Sequence, residues 1–383
     1  MQNPFKPTAG ARPPLLVGRE DLRQDFAESL ENGPGAPGLL SIFSGPRGIG
    51  KTVMLGEIED EAIEHGWIVI SETATSGLVA RIADAVRTAS EELGDGPAGR
   101  RVTALTIGPV RVDTQLPPPR EVHWRRGVTE LLTTLDGFGT GLLISVDEIH
   151  AVDRSELAEL AAVVQHLIRE NLPVGLVMAG LPKAVEDLLS EGVSTFLRRA
   201  ERYDLHATSI PEVKAAFRET FQDSGVDVDD EHLDMLATAT GGYPFLIQLV
   251  GYHVWSQARR TGGPVTDAVL EAGLSKARRR MGATVLQSAY GALSAVDQSY
   301  LLAMAEDDGP SSTAAIAERL GVDLVYGGQY RLRLIAAGVI APTRHGYVDF
   351  AVPTFREFLR NAPAYGLRLH PPRRPGTRGQ TTQ

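Results

Sequence analysis

Gly45-Pro46-Arg47-Gly48-Ile49-Gly50-Lys51-Thr52 fills every fixed position of the pattern G-x-x-x-x-G-K-[ST]. The apolar run Leu39-Leu40-Ser41-Ile42-Phe43-Ser44 leads into it, and a helical pattern through Val53, Met54, Ile58 and Ala62 follows. A buried strand, a glycine-rich turn and a helix N-terminus in that order make successive backbone N–H groups converge on an anion. In such a loop Lys51 reaches the β/γ-phosphates and the Thr52 hydroxyl holds Mg²⁺. The residues from Gly45 to Val53 are therefore the expected cradle of a nucleoside triphosphate.

Five short apolar runs, at 39–44, 67–71, 142–147, 174–179 and 202–205, alternate with helix-period segments at 77–93, 122–135, 156–170 and 183–189. The alternation predicts a parallel sheet with helices on both faces, a three-layer α/β sandwich. The third run, Leu142-Leu143-Ile144-Ser145-Val146, ends in Asp147-Glu148. A carboxylate at the carboxyl end of a strand beside the loop completes a Mg²⁺ site, and this is the role expected of Asp147. Glu148 next to it can polarise a water for attack on the γ-phosphate. Adjacent acids favour hydrolysis over phosphoryl transfer, which counts against a small-molecule kinase. No Asn-Lys-x-Asp string occurs, so adenine is the expected base.

Length and composition set outer bounds. A chain of 383 residues calls for more than one core. With 43% apolar and 22% charged residues it reads as a soluble globular protein. There is no cysteine, hence no disulfide, thiolate metal site or thiol nucleophile. The first residues lack the apolar stretch of a signal peptide, no run is long enough to span a bilayer, and a cytoplasmic location is expected. A net charge of −10 argues against whole-surface binding to nucleic acid while leaving room for a local basic patch.

Upstream, Leu15-Leu16-Val17-Gly18-Arg19-Glu20 introduces a helix, and downstream Thr240-Gly241-Gly242-Tyr243-Pro244 stops one helix and starts another. Together with the loop and the Asp-Glu pair, these segments resemble the AAA+ ATPases. The resemblance is to the branch shared by archaeal initiator ATPases, archaeal-type ATPases and STAND signalling ATPases, and it spans roughly residues 15–260. It implies that Val17 and Gly18 line the base pocket. It also implies that Pro244 belongs to a Gly-x-Pro motif at the start of a lid helix facing the nucleotide. An arginine completing a neighbour's site is expected just before or within the fifth strand, where Arg198, Arg199 and Arg202 stand; Arg199 is the expected finger. Two departures weaken the hydrolytic machinery. The fourth strand ends Met178-Ala179-Gly180-Leu181-Pro182 without a polar sensor, and Phe245 occupies the place of a lid arginine. Slow turnover follows, with ATP acting as a switch ligand.

From Ile210 the strands give way to helical patterns near 211, 230–239, 245–259 and 268–290. Residues 294–360 then have the order of a winged helix, with helices at 297–305, 312–320 and 328–337, wing strands at 339–340 and 347–352, and a closing helix. From Gly327 onward 9 basic residues face 2 acidic ones, whereas 295–326 has 1 basic and 6 acidic. Arg331, Arg333 and Arg344 fall on the third helix and wing and are the expected contacts to duplex DNA. The alternative is a signalling ATPase whose winged helix contacts protein instead, as a homo-oligomer or with a client. The expected domains are a nucleotide-binding core at 1–207, a helical lid at 208–292, the winged helix at 293–362 and a disordered tail at 363–383. Residues 94–120, bounded by Gly and Pro, are expected to form a surface insertion with a hairpin at 106–112.

Overall fold

The computed structural model describes residues 2–8, 10, 17–94, 121–190, 196–352 and 354–362. The expected hairpin at 106–112 and the tail at 363–383 lie outside the described residues. Five strands form one sheet: β1 (Leu40–Ser44), β2 (Ile68–Thr73), β3 (Leu142–Asp147), β4 (Val174–Gly180) and β5 (Glu201–Asp204). Their order is β2-β3-β4-β1-β5, and all four pairings are parallel. Parallel strands need crossover connections, and helices supply them.

Side chains alternate across the sheet with a period of two. Ile42, Ile70, Ile144, Leu176 and Met178 are buried in one core with Ile82, Leu132, Leu160 and Val164. Those partners come from α3 (Leu78–Gly94), α4 (Glu121–Gly137) and α5 (Arg154–Arg169), with α6 (Pro182–Ser190) beside them. The other face carries Phe43, Val69, Leu143 and Val177, also buried, under α2 (Lys51–Glu64), which packs on β2, β3 and β4 and against α1 (Glu20–Asn32). This is the three-layer α/β sandwich. It forms a compact unit of residues 19–45 and 50–205.

A second compact unit comprises residues 1–18, 46–49 and 206–383. It contains α7 (Ile210–Asp223), α8 (Asp230–Thr240), α9 (Pro244–Thr261) and α10 (Asp267–Met281). A wide π-helical turn at Gly282–Leu286 joins α10 to α11 (Gln287–Gly291), splitting the single helix expected at 268–290. Ser209 and Glu212 form a reciprocal capping box that starts α7. Phe5 is buried among these helices, its ring 5.9 Å from Phe217 and 5.2 Å from Phe221.

The same unit ends in α12 (Ala295–Ala305), β6 (Ser311–Ser312), α13 (Thr313–Leu320), α14 (Leu324–Ala336), β7 (Ile340–Arg344), β8 (Tyr347–Phe350) and α15 (Phe355–Arg360). The three strands are antiparallel in the order β6-β8-β7. Helix α14 begins four residues before the expected start at 328. The Asp323 carboxylate accepts from the Tyr326 amide at 2.7 Å and caps it. Gly327 does not break the helix; it is buried where α14 meets α13, and a Cβ there would stand 3.4 Å from that of Ala317. No helix among the described residues is long and apolar enough to cross a membrane.

Candidate nucleotide site

The loop leaves β1 at Ser44 and turns through Gly48 (φ +75°) and Gly50 (φ +94°) before Lys51 opens α2. The Gly45 amide donates to Gly180 O at 3.4 Å, fixing the base of the loop to the end of β4. Lys51 is buried, at 6% exposure, and its ammonium donates to Gly45 O at 3.0 Å. Helix α2 is tied to the sheet below by Glu59, whose carboxylate accepts from the Ser71 hydroxyl at 2.6 Å and from that of Ser145. This explains a fully buried serine within strand β3.

The tether brings the two halves of the expected metal site together. Thr52 Oγ1 donates to Asp147 Oδ2 at 2.6 Å, and Asp147 Oδ1 accepts from the Glu148 amide at 2.7 Å. Two hard oxygen donors side by side suit Mg²⁺, which binds through one or two protein oxygens plus phosphate and water. Among the described residues no three His, Cys, Asp or Glu side chains converge as an all-protein metal cage. Glu148 takes left-handed backbone angles (φ +58°), and its Oε2 lies 2.9 Å from His150 Nε2. Beside it, a Cβ on Gly180 would stand 2.4 Å from Ile149 Cγ1. The Ile149 side chain therefore fills the space that a side chain at the end of β4 would take.

Val17, Gly18, the loop residues Pro46, Arg47, Gly48 and Ile49, and Pro244 fall in the second unit. Thr208 joins two of these segments: its hydroxyl donates to Val17 O at 3.3 Å and its amide to Gly242 O at 2.8 Å. The approach is close, since a Cβ on Gly242 would lie 1.9 Å from Thr208 O. Tyr243 follows as the N-cap of α9, and Pro244 is its first residue. The Tyr243 ring is 1% exposed and covers Gly48, where a Cβ would stand 2.9 Å from the tyrosine hydroxyl.

Sequence reasoning singled out neither Thr208 nor His150. The signal for His150 is its place two residues after Glu148; Thr208 has none, as its partners are distant in sequence. Arg199 ends a short turn at Leu197–Arg199 before β5 and is exposed. Its neighbour Arg198 closes α6 instead, donating to Leu189 O at 2.8 Å and Ser190 O at 3.3 Å.

The three arginines expected at DNA have different surroundings. Arg333 donates to Asp297 Oδ1 at 2.7 Å and lies 4.6 Å over the Tyr330 ring. Arg331 is half-buried, and its Nε has no hydrogen-bond partner among the described residues. Arg344 is exposed, 3.9 Å over the Tyr347 ring. Leu324, Val325 and Leu332 of α14 are exposed, at 62%, 79% and 58%.

Residues 15–178 match the family model of the AAA ATPase domain, and residues 283–359 match a family described only as a domain of unknown function. Comparison of the sequence with curated proteins gives no significant match. Among solved structures, a Walker-type ATPase of Pyrococcus abyssi is 15% identical, with a TM-score of 0.62 over 90% of this chain and 96% of that one. The ORC2 protein of Aeropyrum pernix, solved in ADPNP–ADP complexes, is 15% identical, with a TM-score of 0.59 over 93% and 96% of the two chains. At this identity the likeness concerns the fold.

Proposed function

We propose, from the premise that this chain carries an AAA ATPase domain on the AAA+ P-loop fold, that it is a Mg²⁺-dependent ATPase working as a nucleotide switch. The observation that carries the reading is the pairing of Thr52 with Asp147 directly behind a loop whose lysine is already buried. Mg²⁺ bound with ATP would neutralise charge on the phosphates. The backbone of Gly45 to Gly50 and the Lys51 ammonium bind and orient those phosphates. Thr52 and Asp147 supply the protein oxygens for the metal. Glu148 accepts a proton from the attacking water. Val17 and Gly18 contact the base, Val53 continues the helix that carries the loop, and Pro244 sets the start of α9. Arg199, exposed ahead of β5, is the residue a second copy would use to complete a neighbouring site.

Slow turnover fits three features: the Glu148 carboxylate rests on His150, β4 ends in Gly180, and Phe245 follows Pro244. Titration calorimetry of the full chain with ATP and Mg²⁺, beside phosphate release, tests the reading. Absence of binding heat would overturn it, and rapid turnover without any partner would overturn the switch.

For the C-terminal elements, read as a winged helix, two assignments compete: duplex DNA and protein. The outer face of α14 favours protein. It presents Leu324, Val325 and Leu332, while Arg333 is committed to Asp297. A DNA-facing helix needs cations free for phosphates. Duplex binding that weakens with salt and with Arg331→Ala or Arg344→Ala would restore the DNA assignment.

A further inference from the structure

Residues 241–296 run against the charge of the rest of the chain. They hold 6 basic residues and 2 acidic ones in a protein whose net charge is −10. The basic residues fall on α9 and α10, which lie tightly together: a Cβ on Gly273 would stand 2.8 Å from Val254 Cα. Along α9, His253, Gln257 and Arg260 follow at helical spacing on one face, and Lys276, Arg279 and Arg280 share a face of α10. The two faces meet where the Lys276 ammonium donates to Gln257 Oε1 at 3.1 Å. His253 sits among these cations. Burial, then the charges of Lys276, Arg280, Arg260 and Arg279, hold its imidazole below the usual histidine range.

Cations in the last turn of a helix answer its dipole, which accounts for their type but not for their lack of counter-ions. The 2 acids of the segment are engaged elsewhere, Asp267 with His232 at 3.2 Å and Glu271 with Arg278 at 4.0 Å. Arg260, Arg279 and Arg280 form no ion pair among the described residues; Arg279 donates to the Ser275 hydroxyl at 2.7 Å. All three are exposed. These are the unclaimed cations that α14 lacks.

We infer that the face shared by α9 and α10 is a docking surface for the sugar–phosphate backbone of duplex DNA, held without reading its sequence. Charge complementarity selects a polyanion, and arginine forks suit phosphate oxygens. A folded protein or a lipid surface would call for apolar side chains inside the contact. On these two helices Tyr252 is the only large hydrophobic side chain that is exposed. One aromatic ring is also too few to stack the successive bases of a single strand. Contacts to phosphates position a duplex but carry no sequence information. The inference does not depend on the nucleotide reading, and it moves DNA contact from the winged helix to the helix pair before it.

The test is fluorescence anisotropy of the full-length protein with a labelled mixed-sequence DNA duplex of ~30 base pairs, at salt from about 50 to 200 mM. The variants are Arg279→Ala/Arg280→Ala and Arg279→Lys/Arg280→Lys, with thermal midpoints for each. Wild type should bind with a Kd of order micromolar that weakens steeply with salt. The alanine pair should weaken binding about tenfold or more at low salt and flatten the slope of log K against log salt by about 2. The lysine pair keeps both charges and should keep the slope. Midpoints should stay within about 2 °C, since both side chains are exposed. The assignment is overturned by a wild type that does not bind, by an alanine pair within twofold of it, or by a lysine pair as weak as the alanine pair. Tighter binding to the single strand or to phosphatidylserine vesicles overturns it too, as does binding lost with Arg331→Ala/Arg344→Ala but kept with the alanine pair on α10. None of these outcomes bears on calorimetric binding of ATP, so this failure and failure of the nucleotide reading are separable.

Discussion

In the proposed function, Lys51 and Glu148 divide binding from chemistry. The Lys51 ammonium is buried beside Gly45 O, and the proposal has it exchange that carbonyl for a phosphate oxygen. Charge-assisted hydrogen bonds contribute about 1.5–3 kcal/mol each, so Lys51→Ala should weaken Mg·ATP binding by roughly 30-fold or more. Glu148 is the proposed base, and its loss should leave binding intact. Glu148→Gln is expected to retain the calorimetric affinity while phosphate release falls about 10²–10⁴-fold. Equal loss of binding in both variants would contradict this division. Both residues stand out in the sequence, because each sits in a short contiguous pattern; their roles remain proposals. The partner of Arg333 does not stand out. It reads as a DNA contact by position, yet Asp297, 36 residues earlier, claims it.

At the scale of elements, backbone approach and ion pairing do most of the specifying. Gly242 (φ +72°) lets the turn between α8 and α9 touch Thr208, and a Cβ there would collide with a carbonyl oxygen rather than a movable side chain. Gly242→Ala should cost about 3 kcal/mol or more, seen as a lowered denaturation midpoint. In the C-terminal elements, Arg319 donates a fork of hydrogen bonds to Asp307, at 2.8 Å and 2.5 Å. This holds the Asp307 carboxyl down to about 2 from 3.8, with Ser311 and Arg356 assisting. A carboxyl whose folded pKa lies below its unfolded one stabilises the fold above about pH 4 and stops doing so as pH falls toward 2. The two side chains are 28% and 27% exposed, so solvent screens the pair in part and the effect is modest. Asp307→Asn should lower the midpoint by about 1–3 °C at pH 7 and leave it unchanged near pH 2. β1, β3 and β4 could be read from their apolar runs, since a strand buried on both faces shows as a continuous stretch, whereas β5 is an exposed edge of polar residues with little apolar signal. The start of α14 could not be read. The expected helix began at 328, and the facing Ala317 shows why Gly327, within the real first turn, is small.

For the whole molecule, the least visible feature is the docking of its first residues. Asn3 Nδ2 donates to Tyr252 O at 3.0 Å and to Ser256 Oγ at 2.9 Å, and Phe5 is 3% exposed. A Cβ on Gly251 would lie 2.3 Å from the Phe5 ring. Nothing local in Met1-Gln2-Asn3-Pro4-Phe5 announces this, because the pocket is assembled from α7 and α9, more than two hundred positions away. Removing a buried phenylalanine ring costs about 3–5 kcal/mol. Phe5→Ala should therefore lower the denaturation midpoint clearly, while Lys6→Ala, at an exposed side chain, should leave it within about 1 °C.

That plug also sets a timetable for biosynthesis. Asn3 and its acceptor Tyr252 are 249 residues apart, so the beginning of the chain emerges long before anything exists to receive it. At a translation rate of about 5–20 residues per second, the aromatic ring waits roughly 10–50 s on the ribosome with its greasy face in water.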